Sequence, residues 1–207
     1  MERIDNDSEL RGWLSATLAA DASAGIGTLP SWIGARQEGH TQIGRAAVVT
    51  ITRDDTTALR ALLAGEVHGD VLVVGGASES VTACLGDLVA RELQQHGIMA
   101  IVTDGLVRDM AELQRMGFGV WSRGTCSAAP AKRIPGVVGG YTVLGGVIIF
   151  GGDLIVADGD GVVVWPKDAV ASLTENAAHK RDQDNERLAR LVAAEDGGGA
   201  DVVPKPT

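Results

Sequence analysis

Aromatic side chains make up only 3% of this 207-residue chain: one tyrosine, two phenylalanines and four tryptophans. A core must therefore rest on Val, Leu, Ile and Ala, and the 28 glycines point to many tightly packed strands and turns. Basic charge is also scarce, with 18 Lys and Arg against 27 Asp and Glu, a net charge of −9. Such a chain repels nucleic-acid phosphates, and it carries no basic patch with interleaved aromatics, so no nucleic-acid partner is expected. No uninterrupted apolar run is long enough to span a bilayer, because the candidate VLGGVIIFGG is broken by glycines; no membrane partner is expected either. The opening MERIDNDSELRGWL has no apolar segment behind positive charge, which fits an untargeted, cytoplasmic protein. The two cysteines, Cys84 and Cys126, read as reduced thiols rather than a disulfide.

Several chemistries lack their motifs. VLVVGGASES has the strand and glycine turn of a nucleotide fold but not the full Gly-x-Gly-x-x-Gly pattern, which argues against a dehydrogenase or methyltransferase. ADGDGVVV lacks the downstream ligands of a calcium loop, and Asp158 to Gly161 reads as a hairpin turn. His40, His68, His96 and His179 show no metal-ligand spacing and read as surface or loop residues. Cys126 lies in a loop with no histidine close in sequence to activate it.

What is present is a set of charged groups at the ends of buried elements. Asp87 is followed after twenty residues by Arg108-Asp109, with Glu112 three further on. VLVVGG (residues 71–76) reads as a buried strand running into a loop. A helix follows from about Ser80 to Gln95, placing Cys84, Leu85, Leu88, Val89 and Leu93 on one face and ending at Gly97. If it starts near Gly86 instead, the free N–H groups around Leu88 would face an anion, and periodicity does not decide between the two starts. IMAIVTDG (98–105) reads as a second strand, and Arg108-Asp109 opens a short helix with Leu113 and Met116 inward. Asp109 could hold a hard divalent cation, Arg108 could clamp a carboxylate and Asp87 could position a water, equipment for breaking a carbon–carbon bond beside a keto acid. By spacing alone the plainer reading, a helix cap and a surface pair, is the favoured one.

From roughly Thr17 to Pro166 the chain resembles the RraA-like family, which includes the class II 4-hydroxy-4-methyl-2-oxoglutarate / 4-carboxy-4-hydroxy-2-oxoadipate aldolases and regulators of ribonuclease activity. The resemblance is carried by ATLAADA with Asp21, GRAAVVTIT, HGDVLVVGG, GDLVARELQQHGIMAIVTDGLVRD and GGDLIVADGDGVVVWP. It implies an α/β fold, a mixed β core resembling the swivelling phosphohistidine domain, surrounded by helices. It also implies that the backbone at Gly86, Asp87 and Leu88 receives a substrate carboxylate with Arg108, that Asp109 is the ligand of Mg²⁺ or Mn²⁺, and that Asp87 takes part in proton transfer. The implied activity is a metal-dependent lyase acting on a small 2-oxo acid, with oxaloacetate decarboxylation, in a homotrimer or dimer of trimers. A neighbouring subunit would contribute an acid from its C-terminal region, where Asp182 or Asp184 stands in place of the usual glutamate. The alternative is a non-catalytic regulator that binds a ribonuclease partner; such members can lack the aspartate after the arginine, which this chain keeps. A third reading is a different keto acid in the same site. Residues 23–42, expected to border the pocket, the run Asp54 to Thr57 and His68 before Gly69-Asp70 depart most from the family pattern.

The remaining segments read more simply. Leu10, Trp13, Leu14, Thr17 and Leu18 predict an amphipathic opening helix. A long polar helix is predicted from Lys167 to about Ala194, with Val170, Leu173, Ala177, Leu188 and Leu191 as contact positions and HKRDQDNER solvated. Lys132 and Arg133 read as a solvated pair that could meet a second carboxylate. One domain is expected over 1–193, with a flexible tail over 194–207.

Overall fold

The computed structural model describes residues 6–197. The opening is two helices rather than one, α1 (Asn6–Leu10) and α2 (Ala16–Ala22). Ser15 breaks the run: its backbone is extended and its hydroxyl accepts a hydrogen bond from the Leu18 N–H, an N-cap that starts a new helix. Then come β1 (Gly34–Ala35), β2 (Gln42–Thr50), α3 (Thr57–Leu63), β3 (Val71–Gly75), β4 (Ala83–Leu85) and α4 (Asp87–Gln95). They are followed by β5 (Ala100–Thr103), β6 (Leu106–Val107), α5 (Met110–Arg115), β7 (Gly119–Ser122) and β8 (Gly124–Thr125). β9 (Val137–Val138), β10 (Tyr141–Leu144), β11 (Val147–Phe150), β12 (Leu154–Ala157) and β13 (Val162–Trp165) lead to α6 (Val170–Gly197). The last helix runs past residue 194, and residues 198–207 of the expected tail lie outside the described residues.

The main sheet has the order β1-β7-β5-β3-β2-β12-β13, with β9 beside β2. β2, β3, β5 and β7 are parallel, joined through α3, α4 and α5, and the β12–β13 hairpin continues the sheet antiparallel to β2. The Asp158 N–H to Gly161 carbonyl bond closes that hairpin, as the sequence predicts. Alternation along β2 divides the interior. Ala47 and Val49 face a core under α3, α4 and α5 with Leu59, Leu93 and Leu113, whereas Ala46 and Val48 face a core with Trp121, Leu144 and Ile155. A third cluster joins α1, α2 and α6 to Leu154, Val156 and Trp165. Both large buried indoles have partners, Trp121 donating to the Asp158 carbonyl and Trp165 to the Ala19 carbonyl. This mixed β core wrapped by helices has the expected architecture. Among the described residues no helix is long and apolar enough to cross a membrane.

Residues 83–85 are a strand, so α4 does not start at Ser80. β4, β6 and β8 form a separate parallel sheet, each contributed by the segment that leaves the C-terminal end of β3, β5 or β7. Cys84 and Leu85 are therefore buried as strand residues, and Leu88 projects into solvent rather than joining the core. α4 begins after Gly86 and ends before Gly97, whose φ of +83° suits a glycine.

A buried carboxylate fixes the neighbouring loop. Asp55 accepts hydrogen bonds from the Thr57 N–H and hydroxyl and from the N–H groups of Arg133 and Ile134. Burial opposes its ionisation, but those donors outweigh it and hold the carboxyl well below the usual carboxylate range. A depressed carboxylate stabilises the fold above the ordinary value of about 3.9 and loses that contribution as pH falls through the folded value. Asp55→Asn should thus melt several degrees below the wild type at neutral pH, and the gap should close progressively below about pH 4 in thermal scans. A gap that stayed constant into acid would contradict this account.

Candidate active site

Leu85 pairs with Val107 in the small parallel sheet, and the Arg108 N–H continues the ladder to the Leu85 carbonyl at 3.0 Å. Strand pairing therefore brings the two residues that leave these strands, Gly86 and Arg108, side by side. Asp109 follows and N-caps α5 with φ 59° and ψ 37°, a left-handed conformation unusual for any residue but glycine. That turn aims its carboxylate back at the first turn of α4. Its Oδ2 accepts the Asp87 N–H at 3.3 Å and lies 3.3 Å from Arg108 Nε. Gly86 makes the approach physically feasible: a Cβ there would lie 2.5 Å from Asp109 Oδ2 and 2.9 Å from Arg108 Nε.

The cluster is polar and open. The Arg108 and Asp109 side chains are 36% and 37% exposed, enough to meet a ligand from solvent. Among the described residues Arg108 engages a partner only through Nε, which leaves its two Nη groups as a fork for a carboxylate. The first helical N–H groups of α4, at Leu88 and Val89, have no intrahelical acceptor by the geometry of a helix start. The Asp87 N–H of the same turn is already given to Asp109. Glu112 is turned to Arg115 in an exposed ion pair.

Among the described residues, no group of three or more His, Cys, Asp or Glu side chains is placed to hold a metal. The available donors are the Asp109 carboxylate, whose Oδ1 is unengaged among the described residues, and the Asp87 carboxylate, which makes no hydrogen bond or ion pair with any of them. Oxygen donors of this kind suit a hard cation that keeps much of its own water, such as Mg²⁺.

Other predicted residues lie elsewhere. Asp184 is engaged by Lys180, which also reaches Asp21, and Asp182 is 3.4 Å from Arg181 on the same helix. Neither belongs to the Gly86–Asp109 cluster of its own chain. The segment 23–42 pairs along β7 and β13, with Gly34 opposite Ser122 and Thr28 bridging Val163, and its Arg36 donates to Ser122. Asp54 caps another segment, accepting from Val81, Thr82 and the Thr82 hydroxyl, a set of bonds led by that hydroxyl that holds its pKa down. Lys132 and Arg133 are exposed, in a loop tied to Asp55 and Thr56.

Three participants escape sequence reasoning. Asp104 is buried and accepts the Ala77 N–H at 2.9 Å; burial pushes its pKa up, with bonds from Ala77 and Gly76 opposing. Arg123 donates to the Asp104 and Ser80 carbonyls and so staples the segment leading to β4. Cys126, whose N–H bonds the Val107 carbonyl, flanks Arg108 on the side of β6 opposite Leu85. Their only sequence signal was proximity to the glycines and acids of the central motif.

Residues 20–164 match the profile of the RraA-like family, described as Aldolase/RraA. A Halalkalibacterium halodurans protein provisionally named as a 4-hydroxy-4-methyl-2-oxoglutarate aldolase is 32% identical over 174 residues, covering 84% of this chain and 83% of its own. Streptomyces coelicolor RraAS2, described as an unusual member of the RNase ES inhibitor RraA family, superposes with a TM-score of 0.76 at 28% identity, over 92% of this chain and 99% of its own. The RNA-processing inhibitor RraA from Thermus thermophilus gives 0.65 at 28% identity, over 73% and 92%.

The left-handed turn at Asp109 has a thermodynamic signature independent of any activity. A Cβ without a compensating polar side chain costs about 1 kcal/mol in this region. Asp109→Gly should therefore melt roughly 2–4 °C above Asp109→Ala. Equal melting temperatures for the two variants would show that the turn relaxes.

Proposed function

The chain belongs to the RraA-like family, and on that premise we propose that it is a divalent-metal-dependent lyase. It cleaves 2-oxo acids of the 4-hydroxy-4-methyl-2-oxoglutarate type to pyruvate and decarboxylates oxaloacetate. The observation that carries this reading is the cluster built by the Leu85–Val107 register, with Asp109 against the start of α4 and the Arg108 fork free.

Each residue then has a task. Asp109, assisted by Asp87, would hold Mg²⁺ or Mn²⁺, which supplies Lewis-acid stabilisation of the negative charge that develops as the bond breaks. Arg108 grips a substrate carboxylate through its two Nη groups, which fixes the substrate's orientation and hence which bond breaks. The N–H groups of Leu88 and Val89 add a second anion contact at the helix N-terminus. Aldol cleavage requires a base for the proton of the C4 hydroxyl, and the Asp87 carboxylate, acting through an intervening water, is that acceptor. Decarboxylation needs no such base, so the same site performs it without that step. From a neighbouring copy, Asp182 is the freer of the two candidate acids, because Lys180 grips Asp184 at 2.5 and 2.6 Å.

A second reading has its own support in the likeness to RraAS2 and the Thermus RraA: a regulator that binds a ribonuclease. Retention of Asp109 beside Arg108 favours the lyase.

The deciding assay is pyruvate release from both substrates with Mg²⁺ or Mn²⁺, repeated with EDTA. Chelator-sensitive release is expected, falling at least about 100-fold in Asp109→Asn, which keeps the side-chain shape. Arg108→Lys should raise KM strongly, since a point charge cannot replace the fork. Release no greater than with metal alone would sink the lyase reading. Retained ribonuclease binding by an inactive wild type would establish the regulator.

Gly86→Ala separates site geometry from fold. Its φ of −138° is open to any residue, so melting should be nearly unchanged while the new methyl displaces Asp109 and Arg108. A loss of kcat/KM of about tenfold or more is expected, the scale of a misplaced reacting geometry. Wild-type kinetics in this variant would show that the close approach of Gly86 is not needed.

A further inference from the structure

We propose that a cavity at the starts of β2, β3 and β5 binds a free α-amino acid with an apolar side chain. The cavity encloses about 340 Å³, and Arg11, Ile43, Asp70, Gly97, Met99 and Gly117 are among the residues that line it. Small-molecule sites commonly run from about 300 to 1,000 Å³, so this one suits a ligand of a few heavy atoms. It lies at the end of the main sheet opposite the Gly86–Asp109 cluster, which follows the exits of the same parallel strands. A molecule bound here is distinct from the substrate, and the inference does not rest on the catalytic reading.

The strand starts place a cation and an anion without pairing them. Arg11 is pinned to β2 by the bond from its Nε to the Ile43 carbonyl at 3.1 Å. Its two Nη groups have no hydrogen-bond partner among the described residues. Asp70 sits beside the next residue of that strand, since a Cβ on Gly44 would lie 2.6 Å from the Asp70 Cβ. The Asp70 Oδ2 accepts the Arg45 N–H at 2.8 Å, and its Oδ1 accepts nothing from the described residues. The Arg45 guanidinium does not neutralise it, being held by both Asp7 oxygens at 2.7 Å and by the Gly152 carbonyl. Met99 extends β5 next to Asp70, its N–H bonded to the Asp70 carbonyl at 2.9 Å, and is 39% exposed. Gly97 and Gly117 leave the mouth open: a Cβ at either would meet nothing within 4 Å.

Charge decides the class of ligand. A simple anion would be attracted by Arg11 and repelled by Asp70, and a simple cation the reverse. A zwitterion satisfies both, its carboxylate on the Arg11 fork and its ammonium donating to Asp70 Oδ1. An α-amino acid carries the two charges close together, which suits partners anchored to adjacent residues of one strand. A peptide separates its terminal charges too widely for that. The apolar side chain then rests on Met99, whose flexible thioether adapts to different shapes.

The test titrates the full chain, isotope-labelled on its methionine methyl groups, with L-leucine. Of the four methionine signals, that of Met99, assigned through Met99→Leu, should shift saturably. Met110, which follows Asp109 at the start of α5, should stay in place. Isocaproate lacks the ammonium and isopentylamine lacks the carboxylate. Each should bind at least about tenfold more weakly than leucine, the scale of one lost hydrogen bond to a charged group. Arg11→Met keeps the stem without the charge and should lose as much; if it is unfolded, the two analogues decide. No saturable shift at Met99 overturns the proposal, and so does a shift at Met110 alone, which would place the amino acid at the Arg108 cluster. Equal binding of either analogue, or undiminished binding by folded Arg11→Met, overturns it as well.

Discussion

The pairing of Leu85 with Val107 is the constraint on which the candidate site depends. The main parallel strands only deliver chain ends to one side of the sheet. The small β4-β6-β8 sheet then converts three separate exits into one ledge with a fixed register. A shift of one residue would turn every side chain of β6 over and remove Arg108 from Gly86. Three strands of two or three residues are too short to hold that register alone. The exits of β3, β5 and β7 beneath them do so, together with the Arg108 N–H bond to Leu85 and the Cys126 N–H bond to Val107.

Acidic residues that look like surface charge are used as internal braces. Asp54 and Asp55 collect backbone donors from two different loops, and buried Asp104 ties the turn after β3 to the exit of β5. Arg123 crosses the same gap from β7, bonding carbonyls on both sides. Each brace satisfies backbone groups that would otherwise be unpaired near the interior, where an orphan N–H costs about 1–3 kcal/mol. The net charge of −9 therefore overstates how acidic the solvent-facing surface is, since part of it is spent on internal donors.

The elements legible in the sequence were those whose burial is continuous or regularly spaced. β3, β5 and the β12–β13 hairpin are runs of β-branched residues buried on both faces, and α6 shows Val170 and Ala177 buried above a polar length. The start of α4 was ambiguous for a physical reason. Cys84, Leu85 and Leu88 satisfy helical spacing, yet the first two are buried as a strand whose partners lie more than twenty residues away. Local periodicity carries no information about such pairing. The same limit hid the left-handed turn of Asp109, which aims its carboxylate, and the role of Asp104, whose donor Ala77 is 27 residues distant. Asp87, Arg108 and Asp109 could be singled out from sequence because family resemblance linked them; spacing alone favoured a cap and a surface pair.

Charge at the cluster bears directly on the proposed chemistry. Asp87 and Asp109 contribute two negative charges and Arg108 one positive, a formal sum of −1 on an already acidic protein. Part of the guanidinium's field is also taken by Asp109, 3.3 Å from its Nε. A dicarboxylate approaching this arrangement gains one bidentate contact but meets two carboxylates, and at such distances the repulsion is of the same order as the attraction. A divalent cation at Asp109 would change the formal sum to +1 and turn a marginal anion site into a favourable one. Affinity for an oxo acid and affinity for the cation are therefore coupled through the same carboxylate, and by linkage each should strengthen the other. This coupling explains how a strongly acidic chain could serve an anionic substrate with one arginine at its site.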